Sequence, residues 1–495
     1  MNTGHSRSAT LGGDAVRLTI SKVLTLTITM ATTMLLARFR SFQEYGTYSQ
    51  LLLVINLVSS LLMLGLPNSI NYFLARADKQ EERRKFLSLY YVLSTTISFI
   101  IGLVLVLAIP LIELYFKNYT IRCFYYFLAL YPWSSIVSSS IENVLVVYKK
   151  TKKLIIYRIA HSLAILACVV VVQLLELDFT AYMISFVVVN VLFTLIVYFV
   201  SFRMCDGFEL RFDKRIIKSI FAFSIPFGLA SVIGTLNTEI DKLLIGYLMN
   251  TEQLAIYTNA AKELPLSIVA ASITAVLLPQ LTRMIKKAKS DEAVELWGYA
   301  SELSMILMSV VIFGVFTFAE DAMSILYSDK YLPGVSVFRV YTLNLLLRIT
   351  YFGIILNAYG KSKKIFYCSL ISLALNVILN PIFYFIFGMI GPAIATFLAI
   401  LIIQLLQLFM TSRLVKVSFV KVFPWKRLLI VFIINLLFSI VFFWLKRFVP
   451  LDMLIGSVIE SLCFGAIWIV LYLLLMRKRI KFVWRSLNRK EFNDA

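Results

Sequence analysis

Ionisable residues that interrupt long apolar blocks are the first candidates for chemistry in this sequence. A charge at the centre of a bilayer costs roughly 2.5–3.5 kcal/mol, so such residues usually face a partner or a water-filled cavity. Basic side chains there suit anions, because Arg and Lys pair strongly with anionic oxygens where water is scarce. Acidic side chains there can hold a proton or a cation. The set comprises Arg17, Lys22, Glu142, Arg158, Glu239, Asp241, Lys242, Lys262, Glu263 and Arg348.

Two pairs of opposite charges have a structural interpretation beside the functional one. Glu142 and Arg158 lie about equally far from a turn near Thr151, so on adjacent antiparallel helices they would meet as a buried pair. Glu239 and Lys242 are spaced i, i+3 on one helix face, where opposite charges neutralise each other. From the sequence both interpretations stay open.

Lys262 and Glu263 enter the membrane from an outer turn, at a depth similar to that of Lys242. One interpretation is a purely structural cluster of charges. In the functional interpretation, Lys242 or Lys262 faces a cavity. Asp241 then binds a coupling proton or sodium ion, with Glu239 and Glu263 as further carboxylates.

The other three cations have no obvious acidic partner in the sequence. Arg17 and Lys22 lie in the inner part of the first apolar block, where long basic side chains can reach the membrane surface. Arg348 lies in the middle of its block, too deep for its side chain to reach the membrane surface. A functional role is therefore favoured most strongly for Arg348.

The elements that position these residues are membrane helices. Of the 495 residues, 60% are hydrophobic and 15% are charged, whereas soluble domains contain about 45–50% and about 25%. The apolar residues form about fourteen blocks of roughly twenty residues, the length that spans a bilayer as a helix. The blocks begin near Val16, Thr47, Leu87, Ile121, Leu154, Ala181, Ile220, Gln253, Val294, Val335, Ile365, Gly391, Leu428 and Asp452.

The basic residues fix a predicted orientation. Lys and Arg concentrate in alternate breaks between blocks, such as 76–85, 149–153 and 283–289, and in the segment 477–490. Cytoplasmic loops carry this excess, so both termini are expected to be cytoplasmic. A basic inner surface beside anionic headgroups accounts for the net charge of +21 without nucleic acid. Residues 1–15 are polar and no small-residue cleavage site follows, so we expect the first block to be a retained helix.

Other chemistry finds little support in the sequence. The five cysteines are scattered, without a CxxC pair or the Cys/His spacing of a zinc site, so we expect no disulfide, metal or other cofactor. No GxxxxGK[ST] loop occurs, so ATP is not expected to be a direct energy source.

An internal repeat is indicated by two similar stretches. FQEYGTYSQ (42–50) is followed by LPNSI (66–70), and LAIYTNAA (254–261) is followed by LPQLT (278–282) at nearly the same distance. Chance similarity between apolar helices is the alternative. The repeat predicts an N-terminal lobe (1–212, helices 1–6), a C-terminal lobe (213–412, helices 7–12), helices 13–14 (413–476) and a basic cytoplasmic tail (477–495).

These stretches also carry a family resemblance. The segment ARFRSFQEYGTYSQLLLVINLVSSLLMLGLPNSINYFLARA, and in the second lobe Pro226, Asp241-Lys242, Gly246, Tyr257 and Ala260, resemble the polysaccharide exporters of the multidrug, oligosaccharidyl-lipid and polysaccharide exporter superfamily. The resemblance implies an O-antigen or capsule-type flippase in the bacterial cytoplasmic membrane. Its substrate would be an oligosaccharide linked to a polyprenyl diphosphate, moved by alternating access.

On that basis the cations Arg348, Lys242, Lys262, Lys22 and Arg17 would attract the diphosphate. Asn68 and Asn71, after Pro67, would bind sugar hydroxyls, although amides that join neighbouring helices are common. Expected partners are membrane lipids and also a polysaccharide polymerase and glycosyltransferases. The alternatives are a cation-coupled drug exporter of the same superfamily, a membrane glycosyltransferase or polymerase, and a structural membrane protein.

Overall fold

The computed structural model describes residues 4–209, 213–448 and 454–487. Within these ranges all regular secondary structure is helical. Lipid offers no hydrogen-bond partners, so apolar segments satisfy their backbone groups internally by forming helices. Eleven segments of the described residues are long and apolar enough to cross a membrane. The protein is therefore a multi-pass helical membrane protein, as the sequence predicts.

The chain divides into two compact units, Met1–Ala255 and Ile256–Ala495. The helices of the first unit are α1 (Gly4–Phe39), α2 (Phe42–Met63), α3 (Asn68–Arg76), α4 (Gln80–Leu107), α5 (Ile109–Phe116), α6 (Tyr125–Val147), α7 (Thr151–Leu174), α8 (Phe179–Met204) and α9 (Lys214–Leu248). The division falls within α10 (Thr251–Ala260).

The second unit contains the helices that follow. They are α11 (Ser267–Lys286), α12 (Ser290–Thr317), α13 (Ala319–Tyr327), α14 (Val335–Asn344), α15 (Ile354–Ala358), α16 (Ser362–Phe387), α17 (Gly391–Val415), α18 (Trp425–Phe448) and α19 (Leu454–Leu487). Helix α12 is central to this unit, because it packs against α11, α18 and α19. Its side chains Trp297 and Ile306 are fully buried.

Short polar signals set the helix starts. The Ser41 hydroxyl accepts from the backbone N–H of Glu44, and the Glu44 carboxylate accepts from the N–H of Ser41, which is a capping box. Asp178 and Asp213 cap α8 and α9 with their carboxylates, which accept from backbone N–H groups of the first turn. The one acidic residue of the first predicted outer loop, Glu44, thus has a structural role.

The break between α2 and α3 packs closely on α9. Leu64 and Gly65 adopt positive φ angles of 44° and 72°, which ends α2. A Cβ added to Gly228 on α9 would lie 2.2 Å from the carbonyl carbon of Leu64. Only glycine permits this approach of two backbones, so Gly228 fixes how α9 packs in the first unit.

The two units show the same order of elements. In the first, α4 is followed by the short helix α5, a 3₁₀ turn at Tyr119–Phe124 and α6; in the second, α12 is followed by α13, a 3₁₀ turn at Asp329–Gly334 and α14. Helices α4 and α12 each contain 28 residues. The internal repeat itself stays a prediction.

The eleven apolar segments fall short of fourteen for identifiable reasons. Ser362–Val415 counts as one segment but contains both α16 and α17. Helix α6 carries Glu142 and a run of serines, and α14 and α15 are short pieces. The exact number of spans stays a prediction.

Candidate functional site

Two interrupted helices define the candidate site in the second unit. Helix α10 ends at Ala260 and α11 begins at Ser267, with Pro265 between them. Proline has no N–H and disfavours helical geometry in the preceding residue, which accounts for this break. In lipid, irregular backbone is tolerated where it is buried in protein or lines a cavity, as in transporters with discontinuous helices.

The second interruption separates α14 from α15. After α14, a 3₁₀ turn spans Leu345–Arg348, and no helix forms again until Ile354. The corresponding α6 of the first unit is continuous over 23 residues. The indole N–H of Trp297, on α12, donates to the Thr350 hydroxyl at 2.8 Å, and this bond holds the unwound segment.

Arg348 and Glu263 join the two breaks. The Nη2 atom of Arg348 lies 2.6 Å from Oε1 of Glu263, and both side chains are about one-third exposed. The Nε–H of Arg348 is buried and has no hydrogen-bond partner in the described residues. One donor of the guanidinium is thus left unused by the described residues.

A cavity of about 590 Å³ lies beside this ion pair. Arg348 lines it together with residues that carry hydroxyl and amide groups, including Ser267, Thr274, Thr350, Gln404 and Gln407. The Gln404 amide donates to the carbonyl of Leu347, at the break, while its Oε1 atom is buried without a partner in the described part of the chain. The cavity thus offers a cation and several neutral hydrogen-bonding groups.

An apolar cavity of about 230 Å³ adjoins the first. Leu347, Phe352 and Gln404 line both cavities. The remaining wall is apolar and includes Met305, Leu346, Ile349, Leu405, Leu408 and Phe432. A ligand with an anionic, hydroxyl-rich head and an apolar chain fits this combination.

The structure corrects the predicted surroundings of these residues. The prediction that Arg348 lies in mid-helix is wrong, because the residue ends a 3₁₀ turn at a break. Lys262 and Glu263 were likewise expected within a continuous helix and instead lie in the break before α11. Lys262, Glu263 and Pro265 mark the first break in the sequence, whereas the residues around Arg348 are apolar and hydropathy alone could not reveal the second break.

Both predicted ion pairs form. Arg158 contacts Glu142 across α6 and α7, although the Glu142 side chain is 54% exposed and not buried as expected. Lys242 Nζ lies 2.8 Å from Glu239 Oε2 on α9. These charges have structural partners within the first unit.

Asp241 and Lys262 take different positions. Asp241, in the first unit, is 2% exposed, and its carboxylate accepts from the backbone N–H of Lys242 at 2.8 Å. Lys262, in the second unit, is partly buried in the α10–α11 break. The prediction that Lys242 and Lys262 share one site with Arg348 stays a prediction.

The remaining predicted residues are exposed. Arg17 and Lys22 both have exposed side chains on α1. Asn68 is the exposed first residue of α3. The Asn71 amide donates to Asn143 on α6 at 3.1 Å, which matches the alternative that such amides join helices.

Two acidic residues of the second unit were missed. Glu302 on α12 is 1% exposed and binds Arg479 and Arg427. Its position inside an apolar block is the sequence feature that could have identified Glu302 as a buried carboxylate. Asp321 contacts Lys446 and accepts from Ser457 at 2.7 Å; it lies in a predicted outer loop, where an acidic residue attracts no notice.

Comparison with known proteins places this geometry in context. A family model described as polysaccharide biosynthesis protein matches residues 35–336. The chain is 22% identical over 205 residues to the probable low-salt glycan biosynthesis flippase Agl15 of Haloferax volcanii, covering 41% of this chain and 43% of that protein. It is 26% identical over 192 residues to the capsular polysaccharide biosynthesis protein CapF of Staphylococcus aureus, covering 38% and 48%. The chain thus spans about half the length of the curated relatives it matches.

Solved structures show the fold. The lipid II flippase MurJ in an inward closed conformation superposes with a TM-score of 0.74 at 16% identity, covering 94% of this chain and 100% of that one. An inward-facing multidrug resistance MATE family transporter superposes with a TM-score of 0.63 at 14% identity, covering 82% and 99%. The fold is therefore the one that these transporters share.

Proposed function

Because the chain belongs to this family of polysaccharide biosynthesis proteins, we propose that it is a flippase for lipid-linked oligosaccharides. Its substrate is an oligosaccharide on a polyprenyl diphosphate, moved across the cytoplasmic membrane by alternating access. The observation that carries the proposal is Arg348 at two helix breaks, in a polar cavity that adjoins an apolar one.

The site matches each part of such a substrate. Arg348 pairs with phosphate oxygens, because a guanidinium presents several donors in a fixed geometry. Gln404 and Gln407 offer amides to sugar hydroxyls, and the apolar cavity accepts part of the prenyl chain. Two proteins described as flippases, Agl15 and MurJ, and the capsular polysaccharide biosynthesis protein CapF support the same substrate class.

The finer organisation is part of this proposal. The chain spans the membrane fourteen times with both termini in the cytoplasm, which the basic breaks support. Two repeated lobes divide near residue 212, and the shared order of elements supports the repeat. Asp241 serves as the main coupling carboxylate. The membrane is the bacterial cytoplasmic membrane, as the family resemblance implies, and a polymerase and glycosyltransferases are the partners.

A cation-coupled multidrug exporter is the second candidate, because MATE transporters share the fold. An arginine in the cavity disfavours it, since a cationic drug would be repelled. The flippase fold also covers more of this chain than the multidrug transporter fold does, 94% against 82%.

The test is transport in liposomes. Purified protein is reconstituted with a fluorescent polyprenyl-diphosphate oligosaccharide, and the fraction that becomes accessible to a membrane-impermeant quencher is followed. We expect flipping by the wild type and little by Arg348→Gln. Ethidium transport without lipid flipping would favour the drug exporter, and neither activity would contradict both candidates.

A further inference from the structure

A separate cavity of about 410 Å³ lies where α12 and α18 begin. Asp291 and Glu295 line it from α12, spaced i, i+4 and therefore on one helix face. Lys421 lines it from the segment between α17 and α18, and Arg427 from the first turn of α18. The cavity thus receives negative charge from one element and positive charge from others.

Three of these four charges have no side-chain partner among the described residues. In the described part of the chain, the side chains of Asp291, Glu295 and Lys421 make no hydrogen bond or ion pair. The neighbouring Glu292, by contrast, pairs with Lys289 at 3.2 Å and does not line the cavity.

Arg427 contributes a fixed positive charge. Its Nη1 atom lies 3.6 Å from the buried Glu302 carboxylate, and its guanidinium lies over the Tyr299 ring at 4.8 Å. Arg479 makes the shorter contacts to the same carboxylate. Two guanidinium groups therefore share one carboxylate, and the group carries a net charge of about +1.

The rest of the lining is apolar and is shared in part with a second, apolar cavity. Val294, Val422 and Phe423 contribute to it, and Phe423 also lines the apolar cavity of about 230 Å³. A ligand that places a charged headgroup in the cavity of about 410 Å³ therefore has an apolar surface beside it for a hydrocarbon chain.

We propose that this cavity binds the headgroup of a zwitterionic membrane lipid with a primary ammonium group, of the phosphatidylethanolamine type. Lys421 and Arg427 bind the phosphate, and Asp291 and Glu295 accept hydrogen bonds from the ammonium. An anionic lipid would meet the two carboxylates without compensation. A quaternary ammonium carries no N–H and cannot donate to them. This site is independent of the transported substrate.

Binding of short-chain lipids to the full-length protein tests the site. Tryptophan fluorescence is titrated with the dihexanoyl forms of phosphatidylethanolamine, phosphatidylcholine and phosphatidylglycerol, each below its micelle concentration. We expect a Kd for phosphatidylethanolamine about tenfold lower than for the other two. Asp291→Asn/Glu295→Gln should abolish this preference, whereas Lys421→Gln should weaken binding of all three lipids.

Glu292→Gln, on the same turn of α12, is the matched control and should keep the wild-type preference. Thermal unfolding of each variant verifies folding, and the single variants Asp291→Asn and Glu295→Gln should each give part of the effect. The proposal would be overturned if the wild type bound the three lipids equally well or did not bind them. It would also be overturned if the folded double variant kept the preference for phosphatidylethanolamine.

Discussion

Arg479, near the end of α19, holds the buried carboxylate of Glu302 on α12, with its Nη2 atom 2.9 Å from Oε2. Arg427 on α18 approaches the same carboxylate at 3.6 Å. Helix α12 thus meets α18 and α19, which follow it more than 100 residues later, at one buried charge. The stretch after Arg477, expected as a basic tail, is helical as far as Leu487 and takes part in the packing of the second unit.

Replacing Arg479 should destabilise the protein. Arg479→Met leaves Glu302 with only the longer contact to Arg427, and leaving a buried charge poorly paired costs roughly 3 kcal/mol. The apparent Tm in detergent should fall clearly. Adding Glu302→Gln should recover much of the loss, because the unpaired charge is then gone. Arg477→Met, at an exposed position of α19, is the control. An unchanged Tm in Arg479→Met would show that the ion pair contributes nothing.

Arg348→Gln should reduce export of surface polysaccharide by at least about tenfold, the effect of losing one hydrogen bond to a charged group. Membrane abundance should stay normal, because Arg348 is about one-third exposed. Arg339→Gln is the matched control, since Arg339 on α14 pairs with the exposed Glu320 at 3.2 Å and does not line the cavity. The amount of polysaccharide on the cell surface is measured. If Arg348→Gln exports as much as the wild type, Arg348 has no role in transport.

Asp241→Asn should abolish the response of flipping to an imposed ion gradient. A carboxylate that binds an ion in one conformation and releases it in the other biases the two states, whereas an amide cannot. The measurement compares flipping in liposomes with and without a proton or sodium gradient. If the variant is present in normal amounts and keeps its full response, Asp241 is structural and serves only its local contacts around Lys242.

Acid should weaken the first unit through Glu113 on α5. Hydrogen bonds from Arg122, at 2.7 and 2.8 Å, hold the pKa of the Glu113 carboxyl below its ordinary value. Its contribution to stability is therefore complete above the ordinary carboxyl pKa of about 4.3 and is lost as the pH falls through the lower folded pKa. Glu113→Gln should flatten the loss of Tm below about pH 4.3. Glu252→Gln, at an exposed position, is the control. If Tm falls with pH in Glu113→Gln just as it does in the wild type, Glu113 is not the group responsible.

The predicted orientation is tested with reporters. The excess of Lys and Arg in alternate breaks predicts that a reporter fused after Arg489 is cytoplasmic and that one inserted near Asn250 is external. Alkaline phosphatase and green fluorescent protein fusions give opposite signals for the two sides. The reverse pattern would invert the proposed topology and the leaflet from which substrate enters.

The sequence by itself determined the helical class and the local charge pairs. In lipid the backbone must bond to itself, so apolar blocks become helices whatever their neighbours are. Glu239 and Lys242 meet because helical spacing alone brings them together. Glu142 and Arg158 meet because a short turn joins antiparallel helices, and only the exposure of Glu142 was misjudged.

The tertiary structure alone decided where the helices break and which distant charges meet. The apolar pattern is uninterrupted around Arg348, so neither the unwound segment nor its partner Glu263 follows from hydropathy. Glu302 and Arg479 are 177 residues apart, and their contact depends on which faces of α12 and α19 pack together. Apolar faces are chemically alike in lipid, so packing between helices is set by the shapes and polar groups of the whole unit, which a single sequence pattern does not encode.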